Sequence, residues 1–146
     1  MVEIETFLRA PDGGFVRVEA CHGPPPDPDY IEGAIRLSVD GRELIGLREW
    51  DYVDQLWCYV AEMASRLRST GRAETYFPDQ PIRLSFQESG SRVVVTVKSG
   101  GEVKKAIASS ADLLNSLRTA GLSFFDKMSE LVPGLSYAEA RKRLSA

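Results

Sequence analysis

Histidine and cysteine are scarce in this chain of 146 residues, which holds one histidine, His22, and two cysteines, Cys21 and Cys58. A zinc site needs three or four nitrogen or sulfur ligands, and Cys58 lies in the middle of a predicted helix, so we expect no metal. Two cysteines so far apart predict free thiols rather than a disulfide framework. Neighbouring residues on a strand point to opposite faces, which argues against a Cys21–His22 nucleophile and base.

The sequence motifs of common enzyme classes are also missing. The glycine-rich segments PDGG and KSGG join strand to strand, whereas a phosphate-binding turn opens a helix. No G-x-S-x-G is present, and with 21 acidic residues any pair of carboxylates could arise by chance. We therefore predict a protein that is not an enzyme and that binds no cofactor.

Long apolar runs are absent as well. None approaches the roughly 20 residues that a membrane-spanning helix needs, and the first ten residues lack the basic and apolar segments of a secretory signal. The hydrophobic fraction of 43% and the charged fraction of 27% are typical of a globular protein. We predict one domain over residues 1–146, in the cytoplasm and without a membrane partner.

The charge is small in total but uneven along the chain. Residues 1–62 hold thirteen acidic residues and five arginines, a net of −8, and residues 63–146 hold eight acidic and thirteen basic residues, a net of +5. Either one face meets a charged partner, or both halves fold into one sheet and the charges intermix. The overall charge of −3 argues against a broad basic surface, so we expect no nucleic-acid partner.

Alternating apolar and polar residues predict strands over 2–9, 15–21, 31–39, 42–45, 82–87, 92–98 and 102–108. Asp40 and Gly41 form the strongest hairpin signal, while the proline-rich segment 22–30 and the segment 73–81 are predicted to be loops. Tight turns between neighbouring strands favour antiparallel pairing. The expected fold is α+β: a twisted antiparallel sheet of about six or seven strands, with one central aromatic helix and C-terminal helices covering one face.

The central helix is predicted over residues 47–67. At 100° per residue, one arc of this segment is apolar and suits packing on a core; it comprises Trp50, Val53, Leu56, Trp57, Val60, Met63, Ala64 and Leu67. A second helical stretch starts with a capping box at Ser109 and Asp112 and passes through Gly121, where we expect a kink or a join between two nearly collinear helices. A short basic helix follows Ser136.

The other face of the central helix is the candidate site. It gathers two tyrosines beside acidic and amide side chains: Asp51, Tyr52, Gln55, Tyr59 and Glu62. Tyrosine is enriched both at interfaces and at the margins of cores, so this face is either flank packing or a docking surface. As a docking surface, it should be contiguous and at least partly exposed.

Three segments carry a resemblance: residues 41–57 (GRELIGLREWDYVDQLW), 76–81 (YFPDQP) and 124–133 (FFDKMSELVP). Together with the excess of arginine over lysine, they resemble small uncharacterised actinobacterial proteins, some of which look like immunity proteins of polymorphic toxin systems. The resemblance implies a small α+β domain that binds a cognate toxin and has no catalysis of its own. It implies no role for any particular residue.

The sequence therefore favours a non-catalytic cytoplasmic binding protein that neutralises a bacterial toxin by stoichiometric binding through the acidic, tyrosine-bearing face. One alternative is a self-associating structural subunit, in which the same face forms a homodimer interface. The other is a small-ligand-binding or enzymatic domain with a pocket between the sheet and the helices.

Overall fold

The computed structural model describes residues 1–145, which form nine strands and three helices in an α+β arrangement. The first part of the chain contains β1 (Val2–Arg9), β2 (Phe15–Arg17), β3 (Glu32–Val39), β4 (Arg42–Ile45), β5 (Asp51–Tyr52) and α1 (Val53–Thr70). The second part contains β6 (Arg72–Tyr76), β7 (Ile82–Ser89), β8 (Arg92–Ser99), β9 (Glu102–Ser109), α2 (Ser110–Leu131) and α3 (Ala138–Ser145).

The strands pair antiparallel, as predicted, but they form two sheets instead of one. The first sheet has the order β2-β1-β3-β4, with β5 also pairing with β3, and the second is a β6-β7-β8-β9 meander. Helix α1 separates the strands of the first sheet from those of the second along the chain. The alternating pattern shows which face of a strand is buried, but it carries no information about which strands share a ladder.

The hairpin predicted at Asp40 and Gly41 is confirmed. These residues adopt φ values of +50° and +82°, as a type I′ turn requires, and they join β3 to β4. The strand predicted over residues 15–21 is shorter in the structure, because the chain leaves the ladder after Arg17 and forms a 3-10 turn at Val18–Ala20. Part of the loop predicted over residues 73–81 is instead strand β6.

The central helix begins six residues later than predicted. Residues Leu47–Glu49 form a 3-10 turn, and β5 then pairs with the start of β3. From Val53 onwards the predicted apolar arc is buried, whereas Trp50 is only half-buried and lies outside the helix. The helix ends at Gly71, whose φ of +79° lets its N–H bond the carbonyl of Leu67 at 3.0 Å.

Helix α2 runs without interruption through Gly121, and the missing side chain at this position lets three helices approach closely. A Cβ at this position would lie 3.0 Å from Cζ3 of Trp57 in α1 and would clash with Leu144 in α3. The helix begins as predicted, with Ser109 Oγ accepting from the N–H of Asp112 at 3.3 Å. The Asp112 carboxylate, however, accepts from the N–H of Val2 at 2.9 Å and not from the cap residue.

The hydrophobic core lies between the inner faces of both sheets and the helices. Trp57 is at its centre: the ring is fully buried, Nε1 donates to Thr6 Oγ1 in β1 at 3.1 Å, and the ring stacks on Phe124 of α2 at 6.2 Å between centroids. Within residues 1–145, none of the helices is both long and apolar enough to cross a bilayer.

Candidate functional site

The structure does not bring together the five residues of the predicted docking face. Asp51 was expected to be partly exposed, and this prediction is wrong, because only 2% of the residue is exposed. Since Asp51 and Tyr52 form β5 and are not the first turn of the helix, successive side chains point to opposite faces. Asp51 therefore points inwards, while Tyr52 points away from the core.

Buried Asp51 fixes the loop between β6 and β7. Its carboxylate accepts from the backbone N–H of Tyr52 at 2.7 Å, of Asp79 at 3.1 Å and of Gln80 at 2.9 Å. The Gln80 side chain then donates to the Trp50 carbonyl at 2.6 Å. These bonds join the segment before α1 to the loop and give Asp51 a structural role.

The other three predicted residues lie along one stripe of α1. Tyr59 is 38% exposed, while Gln55 and Glu62 are half-buried. Glu62 is engaged in ion pairs with Arg66 at 3.0 Å and with Arg143 of α3 at 3.9 Å. This stripe is partly accessible, but its carboxylate is already paired within the molecule.

Tyr52 faces a different surface, where it meets Tyr30. The two rings are tilted by 55° with their centroids 5.4 Å apart. The pairing of Tyr52 with Glu32 in β3 brings them together, because Tyr30 lies two residues before Glu32. Tyr30 is 57% exposed and Tyr52 is half-buried, so the pair is accessible to a partner.

The tyrosine pair forms one side of an open groove of about 470 Å³, which we call the tyrosine groove. Its other walls come from two proline-containing loops, and it is lined by Arg9, Ala10, Pro11, Pro25, Pro26, Asp27, Tyr30, Glu32 and Tyr52. The turn that precedes Tyr30 is held by Asp27, whose carbonyl accepts from Tyr30 N–H at 3.2 Å and whose carboxylate accepts from Asp29 N–H at 3.0 Å. The walls are therefore stiff.

The electrostatics of the tyrosine groove are acidic. Asp27 and Glu32 contribute carboxylates to its lining, and Asp79 lies close enough to act on Tyr52. Partial desolvation, followed by the charges of Asp79 and Glu32, raises the pKa of the Tyr52 phenol above its ordinary value. Arg9 is the basic residue of the lining, and it stacks on Trp50 at 4.3 Å and pairs with Glu32 at 3.8 Å.

Sequence reasoning missed Tyr30 and the proline-rich loop as parts of this site. The signal was available in part, since an aromatic residue directly before a strand can reach the residue paired with the start of that strand. The missing information was the register of Glu32 with Tyr52, which joins segments 20 residues apart.

A polar cleft lies between the first sheet and a helix, which is the position that the alternative of a small-ligand-binding or enzymatic domain requires. This cleft of about 420 Å³ runs between β1 and α2. Its lining carries one carboxylate, Glu19, with hydroxyl and amide groups from Asn115, Ser116, Thr119 and Ser123. It lacks the aromatic side chains that distinguish the tyrosine groove.

Cys58 lies next to a partly buried hydrogen bond between Asp54 and Tyr137. The Tyr137 hydroxyl donates to Asp54 Oδ2 at 3.2 Å. Burial raises the pKa of Asp54, and burial together with the Asp54 charge raises the pKa of Tyr137. The same two causes raise the pKa of the Cys58 thiol from 9.0 to about 11. The thiol is protonated at neutral pH, which makes Cys58 a poor nucleophile.

The raised pKa of Cys58 predicts a pH dependence of stability. The folded protein keeps this proton up to about pH 11, whereas the unfolded chain loses it near pH 9.0, so the contribution is present below pH 9 and is lost as the pH rises through this interval. The alkaline loss is the decrease in the free energy of unfolding between pH 8 and pH 11. We expect it to be about 1–2 kcal/mol smaller in Cys58→Ala than in wild type, after allowing for solvent screening. Urea unfolding of both proteins at pH 8 and pH 11 measures it.

The difference between the two pH values is the informative quantity, since the substitution also changes packing at every pH. Cys21→Ala is the matched control and should change the alkaline loss less, because Cys21 is less deeply buried. An equal loss in wild type and Cys58→Ala would contradict the assignment.

No protein-family model, curated protein or solved structure matches this chain. In the part of the chain that the structure describes, no group of three or more histidine, cysteine, aspartate or glutamate side chains is placed to hold a metal ion.

Proposed function

We propose that this protein is a non-catalytic cytoplasmic protein that binds a basic protein partner stoichiometrically, as an immunity protein binds its toxin. The observation that carries the proposal is the tyrosine groove, in which Tyr30 and Tyr52 lie 5.4 Å apart beside the carboxylates of Asp27 and Glu32. The resemblance of residues 41–57, 76–81 and 124–133 to immunity-like proteins supports the class of partner.

The chemistry of the tyrosine groove suits a protruding basic side chain. Tyrosine rings give a large contact area at a small cost in side-chain entropy, and their faces attract cations. The proline-rich wall is stiff before binding, which lowers the entropy lost on association. The carboxylates attract a basic partner over a distance of about 8 Å at physiological ionic strength and speed its approach.

The proposal moves the interface away from the stripe of α1. Tyr59 and Gln55 remain accessible there, but Glu62 is paired with Arg66 and Arg143. In the tyrosine groove Glu32 is paired with Arg9, but within residues 1–145 the Asp27 carboxylate has no ion-pair partner. The groove therefore offers the stronger attraction for a basic surface.

The test uses the product of the gene next to this one, purified and titrated into the protein by calorimetry. Tyr30→Ala and Tyr52→Ala should each weaken binding by about 2 kcal/mol or more, roughly 30-fold, the scale of an interface hot spot. Asp27→Asn should mainly slow association and reduce its salt dependence. Tyr76→Ala is the matched control. Tyr76 is 62% exposed but lies on the second sheet, so this variant should bind the partner as wild type does.

The outcomes separate the alternatives. A loss caused by Tyr59→Ala with normal binding of both groove variants would return the interface to α1 and contradict the groove. A dimer in light scattering that dissociates on Tyr52→Ala would favour the self-associating subunit. Normal binding by Tyr30→Ala, Tyr52→Ala and Tyr59→Ala would show that neither the tyrosine groove nor the stripe of α1 is the interface.

A further inference from the structure

The outer faces of the two sheets, which no helix covers, differ in how far their charged side chains are ion-paired. On the first sheet the charges neutralise one another. Arg36 pairs with Glu5 and Glu43, each at 3.4 Å, and Arg17 also pairs with Glu5. Arg36 also lies 4.9 Å over the ring of Phe7, so the charge of this arginine is compensated within the sheet.

The outer face of the second sheet, which we call the basic face, carries mostly positive charge. The alternation of buried residues in β8 and the register of the meander place the following side chains on it: Arg72, Glu74, Tyr76, Arg83, Ser85, Gln87, Arg92, Val94, Thr96, Lys98, Val103, Lys105 and Ile107. Five of these residues are basic and one is acidic. The asymmetry along the sequence thus becomes an asymmetry in space.

Most of these cations lack an internal partner. Arg83 pairs with Glu74 at 3.1 Å, but within residues 1–145 no carboxylate lies within 4.0 Å of Arg72, Lys98 or Lys105. The same holds for Arg92. Arg83 also stands directly opposite Lys98 in the ladder, and like charges in that position repel unless an anion lies between them.

The shape of the basic face suits an extended occupant. Four strands of up to eight residues give it a flat area of about 500 Å². A single nucleic-acid strand fits such a face, since a four-stranded sheet with exposed aromatic residues can stack two or three bases. Among anionic partners, an extended strand of phosphates suits the unpaired cations and the exposed ring of Tyr76 better than a folded acidic protein, which offers no base to stack on that ring.

We propose that the basic face binds single-stranded RNA. Lys98 in β8 and Lys105 in β9 are diagonal neighbours and form adjacent positions for phosphates. Arg83, whose charge is shared with Glu74, lies opposite Lys98. Tyr76 is exposed beside Arg83 and offers a ring on which a base stacks. Ser85 at the centre is half-buried and carries a hydroxyl that can hydrogen-bond a 2′-hydroxyl, the group that distinguishes RNA from DNA.

This inference differs from the expectation drawn from the total charge. The net charge of −3 predicted no nucleic-acid partner, but that argument assumed that acidic and basic residues share one surface. The acidic residues of the tyrosine groove lie on the other sheet, so they do not neutralise the basic face. The inference is independent of the proposed function, which rests on that groove.

The test is the fluorescence anisotropy of a labelled 12-nucleotide oligo(U) RNA with the purified full chain, over a range of salt concentrations. Neutralising about four phosphates predicts a slope of log K against log salt near −3. Lys98→Gln with Lys105→Gln should weaken binding about tenfold or more and reduce the slope by about 1.4. Tyr76→Ala should weaken binding about fivefold or more without changing the slope.

The matched control is Arg118→Gln with Lys142→Gln, which removes two exposed positive charges from α2 and α3. Affinity within about twofold of wild type in this control supports the proposal. An equal loss in the control, or no binding by wild type at 50 mM salt, overturns it. Equal affinity for oligo(dT) overturns the choice of RNA, and tighter binding of a polyglutamate of equal charge would assign the face to an acidic protein.

Discussion

Replacement of Trp57 by alanine is expected to lower the free energy of unfolding by about 3–5 kcal/mol. The ring is fully buried between β1, α1 and α2, and its removal leaves a cavity bordered by Phe124 and Gly121. It also removes the N–H that donates to Thr6 Oγ1 and leaves a buried hydroxyl without its donor. Equilibrium unfolding in urea, followed by circular dichroism, measures the change.

Trp50→Ala is the matched control for this substitution. Trp50 is half-buried beneath Arg9, so its loss should cost about 1–2 kcal/mol, less than that of a core aromatic residue. Thr6→Val in the Trp57→Ala background should recover part of the stability, because it removes the unpaired hydroxyl. Equal losses for the two tryptophans would contradict the position of Trp57 at the centre of the core.

Asp51→Ala is expected to cost about 3 kcal/mol or more, although the residue makes no ion pair in the described part of the chain. The substitution leaves the backbone N–H groups of Tyr52, Asp79 and Gln80 without their acceptor. The loop after β6 should then detach from the segment before α1. Urea unfolding gives the loss of stability, and the rate of proteolysis within residues 77–81 reports the release of the loop.

Asp79→Asn is the control for Asp51→Ala, since Asp79 is exposed on the same loop and uses its backbone in the contact. We expect this variant to retain wild-type stability within about 0.5 kcal/mol. The stability of Asp51→Asn should lie between those of Asp51→Ala and Asp79→Asn, because one amide oxygen still accepts while the amide N–H₂ faces donors. A fully stable Asp51→Ala would refute the role assigned to this carboxylate.

Local chemistry made parts of the fold predictable. Asp40 and Gly41 are the residue types that accept positive φ, so their hairpin could be identified without knowledge of the fold. The apolar arc from Val53 to Leu67 was equally clear, because seven of its members keep helical spacing and are buried. Both signals depend only on residues close together in sequence.

The prediction was wrong where tertiary pairing overrode a local pattern. Residues 47–52 continue the helical phase of the apolar arc, but β5 pairs with β3 and gives Asp51 and Tyr52 the alternation of a strand. Strand β6 was missed because it has five residues, follows the helix directly after Gly71 and precedes two prolines. The ladder with β7 determines its conformation, and this ladder is not visible in the segment itself.

The candidate site was the least predictable part. One of its tyrosines, Tyr52, was identified from its predicted position on the helix face opposite the apolar arc. In the structure Tyr52 lies in β5, and the helix begins at the next residue. Its partner Tyr30 depends on strand register, and the basic face depends on the division of the strands into two sheets. Neither property follows from periodicity.

The division of the chain also determines the order in which the protein can cover its core during synthesis. All strands of the first sheet emerge from the ribosome before α1, while β1 packs against α2, which is made about 100 residues later. Helix α1 follows the first sheet directly and covers part of its inner face through Trp57, but the part next to β1 that α2 covers stays open for several seconds at about 5–20 residues per second. Over that interval the nascent chain exposes the apolar side chains that Leu113 and Leu117 of α2 later cover.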